Sequence, residues 1–438
     1  MSLNINDFNV QKLGQCNVNT PMITTQYVDD EDRIMYISSK KDFILSQQKD
    51  SEIIGFEMAG PRSHIYFDPS KLRCGIVTCG GICPGLNDVI RAIVLSLNFH
   101  YNITDVYGFL YGYEGLSSKY RHKPVRLTPS YVEEIHTIGG TVLGSSRGPQ
   151  DIGDMVDNLE RMNIGILFTI GGDGTLRGTQ SISEEIARRG LKISVIGIPK
   201  TIDNDISYLH ESFGFKTAVA EAGTAIYSAH VEAKGIPNGI GLVKLMGRHS
   251  GFIATYATLA FSDVNFCLIP EVPFSLEKFL EALRIRIKNR GHAVIVVAEG
   301  AGQDIMGDSS KHDASGNIKF QDIGLFLKDA INNYFTDIDM EVSLKYIDPS
   351  YTIRSTPANP QDSVFCLLLG HNAVHAGMAG RTNMLVGFWN GNFTHVPIPL
   401  AVSRRNQVDP HGRLWGSVLE STGQLGDIDF MDGFHHDF

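Results

Sequence analysis

From residue 74 onward the chain alternates short apolar runs with longer helical patterns, and this alternation restricts the fold more than any other feature. The apolar runs are "CGIVTC" (74–79), "NIGILFTI" (163–170), "LKISVIGIP" (191–199), "GIGLVKLM" (239–246), "NFCLIP" (265–270) and "HAVIVVAEG" (292–300). Between them lie "TLRGTQSISEEIARRG" (175–190), "KTAVAEAGTAIYSAHVEA" (216–233) and "SLEKFLEALRIRIKNRG" (275–291). In the last, Leu276, Phe279, Leu280, Leu283 and Ile287 recur at helical spacing, and Gly291 supplies a left-handed stop. Short buried strands alternating with helices predict a mostly parallel sheet covered on both faces. The runs outnumber the strands of one small sheet, so the expected class is α/β, with two Rossmann-like three-layer domains. In such sheets ligands bind beyond the carboxyl ends of the strands. The loops after each apolar run are therefore where chemistry is expected.

Three of these loops stand out. "VTCGGICPGLND" (77–88) places Gly80 and Gly81 after a strand, with a helix expected to start around Asn87. Paired glycines let backbone amides approach an anion, and a tight strand-to-helix turn would use the same residues. "FTIGGDGTLRG" (168–178) surrounds Asp173 with Gly171, Gly172 and Gly174 and puts Thr175 at an expected helix N-cap. That pattern suits backbone contact with phosphates and a metal held by the acid. "GIPKTIDNDI" (197–206) ends a buried run on Lys200, Thr201, Asp203, Asn204 and Asp205. If the chain stays extended there, Thr201, Asp203 and Asp205 share one side. Two carboxylates beside a phosphate loop allow one to take a proton and the other to help hold Mg²⁺.

Arginines are available for phosphate contact: Arg147 in "LGSSRGP", Arg248 in "LMGRHSG" and Arg354 in "DPSYTIRS", the last read as an unpatterned loop. His371 and His375 have zinc-motif spacing, but "HNAVH" lacks the intervening Glu and is read as helix packing. The formal charge of −10 excludes a general nucleic-acid or membrane-surface binder. No 18-residue apolar run exists, and "MSLNINDFNV" has no signal-peptide pattern. Six scattered cysteines without a CxxC pair read as reduced thiols of a cytoplasmic protein.

Together, "GGICPGLN", "LGSSRGP", "GGDGT", "PKTIDNDI", "LMGRHSG" and "AEG", in this order, resemble the 6-phosphofructokinase family over residues 72–400. "YIDPSYTIRS", "NAVHAGMAG" and the extension at 1–70 are similar to the longer ATP-dependent forms of plants, kinetoplastids and other protists. The resemblance implies Mg²⁺-dependent transfer of the ATP γ-phosphoryl group to the 1-hydroxyl of fructose 6-phosphate. It implies an active site in the cleft between the two domains and a cytoplasmic homotetramer, a dimer of dimers.

Carried onto this sequence, the resemblance makes Asp203 the general base, Thr201 a positioner, Arg147 a stabiliser of the charge that moves during transfer and Lys200 a further catalytic group. Asp173 and Asp205 are the expected metal residues. Gly80, Gly81, Tyr111, Arg147, Gly172, Asp173, Gly174, Thr175 and Gly178 are expected at the nucleotide. Thr201, Asp203, Asp205, Met246, Gly247, Arg248, Glu299, Tyr351 and Arg354 are expected at the sugar phosphate. Gly239 and Val374 stand where short bacterial forms carry phosphate-binding arginines, and Lys244 and Arg354 are candidate substitutes.

The expected division is an extension at 1–70, a nucleotide domain of 71–213 plus about 373–400, a sugar-phosphate domain of 214–372 and a C-terminal segment of 401–438. The acidic "GDIDFMDGFHHDF" at its end reads as a solvated tail. Gly174 stands where pyrophosphate-using relatives carry Asp, which favours ATP, whereas Lys200 is typical of pyrophosphate users. A pyrophosphate-dependent phosphofructokinase is thus the alternative. NAD kinases and lipid kinases share "GGDGT" but lack the "TIDND" and "MGR" partners.

Overall fold

The computed structural model describes residues 4–41, 43–44, 54–307 and 320–424. The chain divides into two compact units, one of 1–202, 206–214 and 355–405, the other of 203–205, 215–354 and 406–438. The acidic tail at 426–438 lies outside the described residues.

The first unit is built on a nine-stranded sheet. Its centre is five parallel strands in the order Val106–Phe109, Cys74–Thr78, Ile166–Gly171, Ser194–Pro199 and Met384–Trp389. The order reverses between Cys74–Thr78 and Ile166–Gly171, which makes the gap between their carboxyl ends a topological switch point. All residues of Cys74–Thr78, Ile166–Gly171 and Ser194–Pro199 are buried, as apolar runs covered on both faces must be. On one face Val77, Phe109, Leu167 and Val195 pack with Val156, Leu159, Ile182 and Ile186 from helices Ile152–Arg161 and Asp173–Arg188. Elsewhere in this unit, helices Leu86–Tyr101 and Pro360–Met378 pack on each other.

Several boundaries differ from the sequence expectation. Leu86–Tyr101 starts one residue before Asn87, because Gly85 takes a left-handed conformation at φ 96° and turns the chain into the helix. The N-terminal segment is part of the first unit: Arg33–Met35 and Gly55–Met58 extend the sheet beyond Asn392–Pro397. Tyr36 stacks on Trp389 at 5.4 Å and Phe8 meets Phe56 at 4.9 Å. The helix Pro360–Met378 also belongs to the first unit, so the division falls after Arg354 rather than after 372.

The added strand Gly55–Met58 anchors a charge network that is buried at Glu57, Arg62, Arg381 and His395 and half-exposed at Asp30. Arg381, fully buried, donates from Nε to Glu57 Oε1 at 2.8 Å and also pairs with Asp30. Arg62 reaches the same two acids, and His395 Nδ1 lies 2.9 Å from Glu57. Burial pushes the Glu57 carboxyl up, but His395 and Arg381 outweigh it and hold it down at about 2. His375 packs between its own helix and Leu86–Tyr101, with Nδ1 2.8 Å from Tyr101 Oη.

The second unit holds a four-stranded parallel sheet ordered Phe266–Leu268, His292–Ala298, Gly239–Leu245 and Ser343–Ile347. Helix Phe215–Lys234 packs across three of these strands. Ser275 caps Leu276–Arg290, and Gly291 closes it at φ 76°. Ser343–Ile347, with only two or three apolar residues, gave no apolar run to find. Among the described residues no helix is long and apolar enough to cross a membrane. All six cysteines are thiols.

Candidate active site

In the first unit the parallel register sets Thr78 beside Ile170 and Ile170 beside Ile198, so three strands end in one row. Their outgoing loops carry Gly80-Gly81, Gly172–Thr175 and Lys200. Gly80 has φ 83°, a backbone region that favours glycine. A Cβ there would lie 3.3 Å from Lys200 Nζ, and one on Gly81 would lie 3.4 Å from the Arg147 guanidinium. Buried Lys200 donates to the Gly81 carbonyl at 2.6 Å. Arg147 is exposed, on a loop tied down by the bond from Gly80 N to Ser146 O.

The second loop opens helix Asp173–Arg188, whose N-cap is Gly172. Thr175 is therefore the third helical residue rather than the N-cap, and it packs over Gly171, where a Cβ would meet it at 2.2 Å. The helix N-terminus offers unpaired amides and the positive end of its dipole, a natural anion site. A Cβ on Gly174 would meet nothing within 4 Å, so the space beside this turn is open. Asp173 carries ion pairs to Arg177 at 3.2 Å and Arg405 at 3.8 Å.

Gly178 answers to packing: a Cβ there would lie 2.6 Å from the Tyr113 ring. Tyr113 is a residue the sequence reading missed. Its hydroxyl donates to Thr175 O at 2.7 Å and lies 3.1 Å from Thr179 Oγ1, bracing the first turns of the helix. Tyr111, two residues earlier, is half-exposed in a left-handed conformation and packs over Gly144 and His122. Of the two, Tyr113 is buried and Tyr111 is exposed.

The stretch after Lys200 does not continue extended. Residues 202 and 203 form a turn and Asn204 is left-handed at φ 56°, so alternation along a strand is not what groups Thr201, Asp203 and Asp205. Thr201 stays with the first unit, accepting from Ser212 Oγ at 2.6 Å, whereas Asp203–Asp205 belong to the second.

In the second unit the carboxyl ends of three adjacent strands gather the remaining candidates. Met246, Gly247 and Arg248 follow Gly239–Leu245, Glu299 follows His292–Ala298, and Tyr351 and Arg354 come shortly after Ser343–Ile347. Glu299 N bonds Leu245 O and Gly300 N bonds Gly247 O, both at 2.9 Å. The segment expected as a loop is a short helix, Ser350–Ser355, and Arg354 Nε reaches Met246 Sδ at 3.2 Å. Tyr351 is exposed. Arg248 lies over the Phe320 ring at 4.9 Å, a contact across so many residues that no local pattern signals it.

Asp203 is partly buried, with its Oδ1 out of contact with solvent. Burial and the neighbouring charges of Asp205 and Glu299 push its carboxyl well above the usual range, against Arg354 and the Arg248 amide, which lower it. A carboxyl so raised is a proton acceptor of unusual strength, and such groups cluster at functional sites. Lys244 is not available to a phosphate: its ammonium pairs with Asp322 at 2.7 Å and Asp348 at 2.9 Å.

The sequence profile described as phosphofructokinase matches residues 73–377. The chain belongs to this family. This phosphofructokinase is 48% identical to the ATP-dependent 6-phosphofructokinase of Borreliella burgdorferi, over 95% of this chain and 97% of that one. It is 47% identical to the ATP-dependent 6-phosphofructokinase of Trypanosoma brucei brucei, over 92% of this chain and 83% of the relative. The ATP-dependent 6-phosphofructokinase 7 of Arabidopsis thaliana is 48% identical over 85% and 77% of the two chains. Among solved structures, a pyrophosphate-dependent phosphofructokinase from Marinobacter aquaeolei superposes with a TM-score of 0.67 at 18% identity, over 82% of this chain and 93% of that one. That likeness speaks to the fold alone, two Rossmann-like α/β units.

Proposed function

We propose that the chain is an ATP-dependent 6-phosphofructokinase, transferring the γ-phosphoryl group of ATP to the 1-hydroxyl of fructose 6-phosphate. The observation that carries this reading is the partly buried Asp203, its carboxyl raised by burial and by Asp205 and Glu299, among strand-end residues suited to a sugar phosphate. The names of close relatives agree with it.

In this reading the first unit takes the nucleotide. Gly80, Gly81, Gly172 and Gly174 present backbone amides to phosphate oxygens, and Arg147 and Lys200 supply positive charge. Gly174 leaves room for the α-phosphate. The second unit takes fructose 6-phosphate, with Met246, Gly247 and Glu299 at the sugar and Arg248, Tyr351 and Arg354 toward its phosphate.

Asp203 accepts the proton of the 1-hydroxyl as that oxygen bonds phosphorus. The bond from phosphorus to the bridging oxygen breaks, and ADP leaves with the electron pair. Thr201 orients the acceptor, and Lys200 meets charge on the moving phosphoryl group.

The carboxylates Asp173 and Asp205 are hard oxygen donors, the chemistry that suits Mg²⁺, and the mutual repulsion around Asp203 is what a dication relieves. Among the described residues no cluster of three or more metal-binding side chains forms a cage, so the reading gives the ion phosphate and water oxygens as well. When bound, Mg²⁺ neutralises phosphate charge.

The reading also includes a cytoplasmic homotetramer, a dimer of dimers, which sedimentation velocity checks. Lys200, the residue type of pyrophosphate-using relatives, keeps pyrophosphate as the alternative donor. Coupled assays of the purified chain with fructose 6-phosphate and either donor decide: turnover with neither overturns the function, and preference for pyrophosphate overturns the donor.

A further inference from the structure

Lys244 is an unusual residue for its position. It lies in Gly239–Leu245, a strand buried at every residue between two parallel neighbours, and is itself 9% exposed. A lysine there must be paired, because an unpaired buried ammonium is costly. Its two partners come from separate elements. Asp322 accepts Gly324 N and Leu325 N on one oxygen, capping helix Ile323–Asp337, and gives the other oxygen to Lys244. Asp348 divides its oxygens in the same way: Oδ1 takes Ser350 N and Ser350 Oγ, Oδ2 takes Lys244. The register that pairs Val243 with Ile347 continues to bring Lys244 beside Asp348.

The consequence falls on helix Ser350–Ser355, which carries Tyr351 and Arg354. Six residues are far below the ~12–15 at which an isolated helix begins to hold in water, so tethers decide where this one sits. One tether is Asp348, clamped by Lys244 at its amino end. Another is the contact from Arg354 Nε to Met246 Sδ, two residues beyond Lys244 and just past the end of the same strand. Lys244 therefore fixes the start of the helix on the strand whose continuation Arg354 touches.

We propose that Lys244 is a positioning residue of the sugar-phosphate site, clamping the Asp348 cap so that Tyr351 and Arg354 are held toward the phosphate of the sugar. This rests on the reading of the second unit given above. Lys244 acts without touching the substrate, and its loss also leaves two carboxylates uncompensated near an anionic ligand.

The test is steady-state kinetics of the full chain with fructose 6-phosphate and ATP, each varied separately. Lys244→Met is expected to raise KM for fructose 6-phosphate about tenfold or more while KM for ATP stays within about twofold. Lys244→Arg, which keeps both ion pairs, is expected to recover most of the loss. Asp348→Asn leaves Lys244 paired with Asp322 and removes only the clamp charge. It is expected to raise the same KM by about three- to tenfold, and it serves if the Met variant fails to fold. Unchanged KM for the sugar phosphate in Asp348→Asn, or equal rises in both KM values, overturns the proposal. Absence of turnover in the wild-type chain instead overturns the function itself.

Discussion

The ammonium of Lys200 donates to the carbonyl oxygen of Gly81 at 2.6 Å, joining the end of strand Ser194–Pro199 to the glycine loop after Cys74–Thr78. One lysine thus fixes the backbone of a loop across the neighbouring strand Ile166–Gly171. Replacing it by Met removes both that bond and a charge aimed at the loop. Lys200→Met is expected to lower kcat by about 10²-fold, the scale for losing one preorganised donor, with KM for fructose 6-phosphate within about threefold. Initial-rate measurements check it, and a kcat within about twofold of wild type removes Lys200 from catalysis.

Asp203 is the proton acceptor in the proposed reaction. Asp203→Asn, close in shape but not basic, is expected to reduce kcat by about 10²–10⁴-fold with sugar-phosphate binding retained. Kinetics paired with calorimetric binding of fructose 6-phosphate separate the two effects. Joint loss of binding and rate assigns Asp203 to the substrate pocket instead.

The empty space beside Gly174 is the structural argument for ATP. Gly174→Asp is expected to raise KM for ATP by about tenfold or more while leaving fructose 6-phosphate affinity unchanged, because the new carboxylate meets the α-phosphate by volume and by charge. A parallel assay with pyrophosphate is expected to show a smaller loss. Equal losses with both donors contradict the steric explanation.

Acid stability follows from His375. Burial, then the nearby His371 and His100, with Arg62 and His395 beyond, push its pKa down to about 3. The native state refuses a proton that the unfolded chain accepts below about pH 6.5. Stability therefore falls as pH drops from about 6.5 toward about 3, by up to ~1.4 kcal/mol per pH unit from this group. Urea midpoints of the wild type are expected to decline more steeply between pH 7 and pH 5 than those of His375→Gln. Parallel slopes show that another group governs acid sensitivity.

Arg381 gives a test of the N-terminal segment. Removing one member of a buried charge network strands the others, which costs about 3–5 kcal/mol. Arg381→Met leaves Asp30 and Glu57 with reduced compensation and is expected to lower the unfolding midpoint accordingly. It is also expected to expose the segment before residue 60 to limited proteolysis. Unchanged proteolysis indicates that the aromatic contacts of Phe8, Tyr36 and Phe56 hold the segment unaided.

The core of the fold was legible because a strand covered on both faces has to be apolar throughout. The runs at 163–170, 191–199, 239–246 and 292–300 became Ile166–Gly171, Ser194–Pro199, Gly239–Leu245 and His292–Ala298 for that reason. Elements held by distant partners carried no such signal. Gly55–Met58 is a strand because it pairs with Asn392–Pro397, more than 300 residues away. Ser343–Ile347 is one because Gly239–Val243 offers it an open edge.

At the site the same division holds residue by residue. Sequence alone pointed to Gly80, whose backbone is left-handed, and to Gly172, where a Cβ would press on the Lys200 carbonyl at 3.2 Å, and it singled out Asp203 for its chemistry. It grouped Thr201, Asp203 and Asp205 by the alternation of a strand that is not there. Only the tertiary structure decided that a turn at residues 202 and 203 sets Asp203 within reach of the charges of Glu299 and Arg354. Only it decided that Gly178 makes room for Tyr113 and that Lys244 is spent on two carboxylates. The physical reason is range: backbone freedom and apolar periodicity are local properties written in neighbouring residues. Burial and charge at a side chain are instead set by groups that meet only after the strands have paired.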